Sequence, residues 1–138
     1  ESDHRRFNML IAIDENDERP IYMQIVYQVK EQVQSGDLKP GDTLPSVREL
    51  GESLGINLHT VHSAYKRLRE QGVITLRLGQ RAKIAKLRES PASCEEVEAV
   101  LGTRLKELTT EAFHLGISLD ELRSLFENHL EVIQHKGV

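Results

Sequence analysis

Between residues 57 and 62 the chain places Asn57, Leu58, His59, Thr60 and His62, side chains that can each address a base edge or a phosphate. Asparagine pairs bidentately with adenine, histidine and threonine reach base edges or phosphate, and leucine can touch a thymine methyl. Arg48 precedes this group and Lys66 follows it, both cations suited to holding a sugar-phosphate backbone. Further on, Arg77, Gly79, Gln80 and Arg81 combine a glycine that permits close backbone approach with arginines of the kind drawn to narrow minor grooves. Catalytic signatures are missing from the sequence. It has no phosphate-binding glycine loop, no G-x-S-x-G elbow and no H-E-x-x-H pair. No catalytic residue, cofactor or metal ligand is assigned, and an enzyme is not expected.

The net charge of −4 argues against an anionic partner until it is resolved along the chain. Residues 1–18 carry −4, residues 19–88 carry +6 and residues 89–138 carry −6. A basic middle between acidic ends suits a surface that meets a polyanion. At 138 residues the chain has room for one small domain and an appendage. It has no apolar run long enough to span a bilayer and no signal-peptide pattern, so a cytoplasmic location is expected. The single cysteine, Cys94, excludes an internal disulfide framework.

Local patterns predict the elements that hold these residues. Met9–Ile13 reads as a brief strand, and residues 1–8 as a disordered lead with Met9 a candidate natural start. Pro20 suits the first position of a helix whose apolar stripe is Ile21, Ile25, Val29 and Val33, widened by Tyr22 and Val26 and closed by Gly36. Ser46-Val47-Arg48-Glu49 is a capping box opening a second helix that stops at Gly55. Asn57 then caps a third, which turns Val61, Ala64, Tyr65 and Leu68 inward and ends at Gly72. Two short helices on a glycine turn form a helix-turn-helix. Val73–Leu78 and Arg81–Ala85 predict a hairpin with Gly79-Gln80 as a two-residue type II′ loop, which makes a wing.

The fold expected is mainly α with a small β wing: a winged helix-turn-helix over 9–86, a linker over 87–94 and a helical dimerisation tail over 95–135. In such a motif the N-terminal residues of the second helix enter the major groove. Each residue singled out also has a plainer reading. Asn57 can serve only as a cap, and Arg48 as a surface charge beside Glu49. Lys66 and Arg69 can be solvated charges, and Arg77, Arg81 and Lys83 can protect strand edges.

The spaced positions also resemble a known family. Pro20-Ile21-Tyr22-x-Gln24-Ile25, Ser35-Gly36-x-Leu38-Lys39-Pro40-Gly41-Asp42-x-Leu44-Pro45-Ser46-Val47-Arg48-Glu49-Leu50, and Leu54-Gly55-Ile56-Asn57-x-x-Thr60-Val61 are similar to the GntR family of bacterial regulators, as are Ala64-Tyr65-x-x-Leu68, Gly72 and Gly79. The resemblance covers about residues 18–85 and implies a winged DNA-binding domain that contacts double-stranded DNA through Arg48, Asn57, Thr60 and Gly79. The short tail resembles the YtrA subfamily, which implies dimerisation without a large effector domain. His62 and Leu58 depart from residues common at those positions in the family, so no operator sequence is carried over.

Val97, Leu101, Leu105, Leu108, Ala112 and Leu115 mark one amphipathic helix of the tail, ended by Gly116. Ser118-Leu119-Asp120-Glu121 is a second capping box, and Leu119, Leu122, Phe126, Leu130 and Ile133 mark the next helix. Alone these stripes bury poorly, so a homodimer is expected, with a pseudo-palindromic operator and repression by occupancy. Release by a small molecule of unassigned chemistry is the accompanying expectation. The alternatives are a tail folded back on its own domain, a winged protein-interaction module, and a metal-responsive regulator using His59, His62, His114, His129 and His135.

Overall fold

A computed structural model describes residues 9–137, with side chains described to residue 134. The expectations for residues 1–8 and for the His135 side chain lie outside the described residues. The chain divides into two compact units, Glu1–Leu87 and Arg88–Val138.

In the first unit the order is α1 (Ile21–Ser35), α2 (Val47–Leu54), α3 (Leu58–Glu70), β1 (Ile74–Thr75) and β2 (Lys83–Ile84). The four-residue stripe of α1 packs on the inward face of α3, and Ile25, Val29, Leu38, Leu44, Val61 and Leu68 are fully enclosed there. Ile21, expected in that stripe, lies at the exposed end of the helix, and Pro20 is its N-cap rather than its first turn. Tyr65 is buried with its hydroxyl donating to the Pro45 carbonyl at 2.6 Å, which joins α3 to the segment leading into α2. Burial pushes the Tyr65 hydroxyl well above its ordinary pKa.

Met9–Ile13 does not form a strand. The segment is held against α1 by three glutamines spaced one helical turn apart. Gln32, Gln28 and Gln24 accept from the amides of Leu10 (3.0 Å), Ala12 (2.9 Å) and Asp14 (2.9 Å). Each returns a side-chain N–H to the carbonyl of the same residue. The alternation of Met9, Ile11 and Ile13 toward the core is strand-like, but the partner is a helix face, so no sheet exists to classify.

The wing is shorter than the sequence pattern suggested. Ile74 pairs with Ile84 and Thr75 with Lys83, which puts Gly79 at the midpoint of the hairpin. A two-residue Gly79-Gln80 loop would need a register one residue off. The turn instead spans Arg77–Gln80, closed by the Gln80 amide on the Arg77 carbonyl at 3.0 Å, and Gly79 occupies its third position with φ +76°. A positive φ at that position favours glycine. The outer edge of β2 is covered by residues just ahead of α2. Gly41 donates to the Ile84 carbonyl (2.8 Å), Ile84 to Asp42 (2.9 Å) and Leu44 to Ala82 (2.9 Å).

The second unit contains α4 (Cys94–Val97), one π turn (Glu98–Gly102), α5 (Thr103–His114) and α6 (Leu119–Gly137). Cys94, read from sequence as the last linker residue, is the first helical one, because the Ser93 hydroxyl accepts from the Glu96 amide. The backbone at Val97, Glu98, Gly102 and Thr103 stays right-handed helical, so α4 runs through the π turn into α5. Glu98 lies over Gly102, where a β-carbon would collide with its carboxylate. The second capping box forms as read: Glu121 N–H donates to Ser118 Oγ (3.1 Å) and Ser118 N–H to Glu121 Oε1 (2.8 Å).

Gln28→Ala is expected to speed hydrogen exchange at the Ala12 amide at a cost of about 1 kcal/mol in urea unfolding. Gln24→Ala, at a buried position, should cost about 2 kcal/mol. Unchanged exchange at Ala12 would exclude the glutamine pairing.

Candidate nucleic-acid interface

The turn between α2 and α3 is three residues long: Gly55 with φ +69°, Ile56, and Asn57. It is closed by Ile56 N–H on the Gly51 carbonyl at 3.0 Å. Asn57 caps α3, its Oδ1 accepting from the His59 amide at 2.7 Å. The cap and base reading are compatible chemically. The oxygen retains a lone pair, and the side-chain NH2 has no partner among the described residues. Because Val61, Ala64, Tyr65 and Leu68 face the core, the opposite face of α3 presents His59, His62, Ser63 and Lys66 to solvent, with Thr60 half-buried at its margin. Ser63 follows from that same periodicity.

Leu58 also makes a contact within the domain. Its Cδ2 lies 2.9 Å from where a β-carbon on Gly51 would stand, so it packs over that glycine and remains 39% exposed. Its role in joining α2 to α3 was invisible without knowing which residue of α2 it covers.

Arg48 is exposed in the first turn of α2 and makes no ion pair among the described residues. A cation there opposes the helix dipole, so helix stability does not explain it. Glu49, its sequence neighbour, is engaged elsewhere. Glu49 Oε1 accepts from the Ser46 amide (2.9 Å) while the Ser46 hydroxyl accepts from the Glu49 amide (3.0 Å), completing the expected capping box. The same carboxylate receives both terminal nitrogens of Arg81, Nη1 on Oε1 and Nη2 on Oε2, the latter at 3.0 Å. The Arg81 guanidinium foremost, with the Ser46 amide, holds the Glu49 carboxyl down to about 2 from its ordinary 4.5. The structure therefore turns Arg81, expected at a DNA groove, back toward α2. Sequence offered no signal for this pair, whose members are 32 residues apart.

At the wing, Arg77, Gly79 and Gln80 are exposed, as are Leu78 and Lys83. Arg48, Lys66, the outward row of α3 and the wing thus all belong to the first unit, on elements it packs together. Among the described residues no three His, Cys, Asp or Glu side chains group to hold a metal ion, and no helix is long and apolar enough to cross a membrane.

The nine tail residues expected at a dimer interface lie in the second unit. Leu101, Leu105, Leu108, Leu115, Phe126, Leu130 and Ile133 are exposed and Leu122 is half-buried. Ala112, at 3% exposure, is the only buried side chain described in that unit, enclosed at the turn where Ile117 N–H meets the Ala112 carbonyl.

Comparison with known proteins agrees with this architecture. Residues 21–84 match the family described as bacterial regulatory proteins, gntR family. The HTH-type transcriptional repressor YtrA of Bacillus subtilis (strain 168) is 37% identical over 113 residues, 82% of this chain and 86% of that protein. A solved structure of a transcriptional antiterminator from Listeria monocytogenes EGD-e has a TM-score of 0.82 at 33% identity, covering 91% of this chain and 93% of that one. YtrA from Sulfolobus acidocaldarius, a GntR-family transcription factor, has a TM-score of 0.56 at 36% identity and covers 70% of this chain and 97% of its own.

Arg81→Ala is expected to cost about 1 kcal/mol near neutral pH, lowering Tm by roughly 5 °C. The Glu49 carboxyl titrates lower folded than unfolded, so the pair's stabilisation is complete above pH 4.5 and is lost as pH falls toward 2. The Tm difference between wild type and variant should close across that window. A difference that stays constant down to pH 2 would exclude the ion pair as its source.

Proposed function

The chain belongs to the gntR family of bacterial regulatory proteins and is a transcription regulator, not an enzyme, and we propose that it acts as a homodimeric repressor occupying a pseudo-palindromic DNA operator. The observation that carries the reading is the division of α3. One face is buried among apolar residues and the other presents Asn57, His59, His62 and Lys66, while Arg48 at the start of α2 is exposed and makes no ion pair among the described residues. A helix so divided can insert its N-terminal half into a major groove, with Arg48 and Lys66 on phosphate and Asn57 and His59 on base edges. Thr60 and Leu58 stand at the margin of that contact. Arg77, Gly79 and Gln80 would meet the flanking backbone or minor groove.

The dimer reading rests on the tail. A unit with one buried side chain among those described and a succession of exposed leucines, valines and phenylalanines leaves more apolar surface than a soluble monomer normally presents. A second copy, offering the same faces under twofold symmetry, would cover them. Two recognition helices would then read half-sites about 34–36 Å apart, one turn of the duplex. An effector that preferred one spacing of the heads would shift operator affinity by its own preference for that state.

Binding to duplexes captured from a random pool should weaken steeply between low and moderate salt. Arg48→Ala is expected to weaken binding across all captured sequences, while Asn57→Ala and His59→Ala change preference at one or two base pairs. Salt-insensitive binding, or three variants indistinguishable from wild type, would overturn the interface. Sedimentation should give a mass of two chains at micromolar concentration, reduced to one by Phe126→Asp with Leu130→Asp. A single-chain mass for the wild type would rule out the dimer.

A further inference from the structure

We propose that Arg81 is a positioning residue that sets where the wing tip stands against the α2–α3 pair, and that its charge is withheld from DNA. This rests on the reading of the first unit as a DNA-binding domain. The β ladder of the hairpin ends at Thr75 and Lys83. Ala82 is the next anchored residue, buried and accepting from the Leu44 amide at 2.9 Å. Beyond it the tip is closed on itself by one backbone hydrogen bond, Gln80 on Arg77. The Arg81 side chain therefore supplies the outermost tie between the wing and the helices. Its partner is itself fixed, because Glu49 is held in the capping box at the start of α2. A guanidinium fork on both oxygens of a fixed carboxylate defines a direction as well as a distance.

The charges lead to the same assignment. Arg81 and Glu49 sum to zero, so the pair neutralises no phosphate and releases no counterion. Arg77 and Lys83 flank it in the hairpin with exposed cations that make no ion pair among the described residues, and these are the wing charges open to a phosphate. A phosphate that recruited Arg81 would have to break a bidentate pair and leave the Glu49 carboxylate without its counter-charge.

The test uses the full chain and a duplex retained from a random pool by the wild type. Arg81→Ala is expected to weaken binding about tenfold with the slope of log Kd against log salt unchanged, whereas Arg77→Ala lowers that slope by about one unit. Glu49→Gln keeps the capping box, since glutamine serves in it equally. It should weaken binding when Arg81 is present and not in the Arg81→Ala background. A nitroxide on Leu78→Cys, with Cys94→Ser, reports the wing tip without DNA and should gain motion in both single variants. A slope reduced by one in Arg81→Ala would overturn the proposal, as would tighter binding by Glu49→Gln confined to the Arg81 background. Unchanged nitroxide motion would also overturn it. Loosened nitroxide motion without salt-sensitive duplex binding would uphold the tie and overturn the DNA-binding reading instead.

Discussion

Two demands meet on the carboxylate of Glu49. The first turn of α2 needs an acceptor for the Ser46 amide, and the wing needs an anchor for Arg81, and the two oxygens serve both. Since α2 packs on α3 and Tyr65 of α3 reaches the Pro45 carbonyl just ahead of α2, the carboxylate lies where helix start, recognition helix and hairpin converge. The pair is only partly covered from solvent, so its net stabilisation is modest. Its importance is geometric. It joins the start of α2, which packs on the helix that would enter a groove, to the hairpin that would flank it.

The features legible from sequence share a short reach. The Ser46 and Ser118 boxes, the Asn57 cap and the inward row of α3 are decided within three to eight residues, where spacing alone dictates geometry. The features that escaped are those whose partner is distant. Glu49 beside Arg81 and Gly51 beneath Leu58 are neighbours that no local pattern announces. The wing turn was misplaced by one residue because its register is set by backbone bonds from Gly41 and Leu44, which no hairpin pattern contains.

In the tail, the stripe of four- and three-residue steps located the helices. Local periodicity carries no information about what such an exposed stripe would pack against. The same division runs through the net charge: acidic ends and a basic middle give −4 overall, while seven of the eleven Lys and Arg between residues 19 and 87 lie on α3, at the start of α2 and on the wing.

The glutamine pairing along α1 also imposes a limit on length. Four residues of α-helix rise about 6 Å, while two residues of extended chain advance about 6.6 Å, so the rungs at Gln24, Gln28 and Gln32 fall nearly in phase with Asp14, Ala12 and Leu10. The mismatch of about 0.6 Å accumulates with each rung, and by a fourth or fifth the donors and acceptors would no longer meet. Helix and extended segment thus act as two rulers with slightly different graduations. Their agreement holds over a few marks, which makes the attachment a measured patch that cannot lengthen into an open-ended pairing.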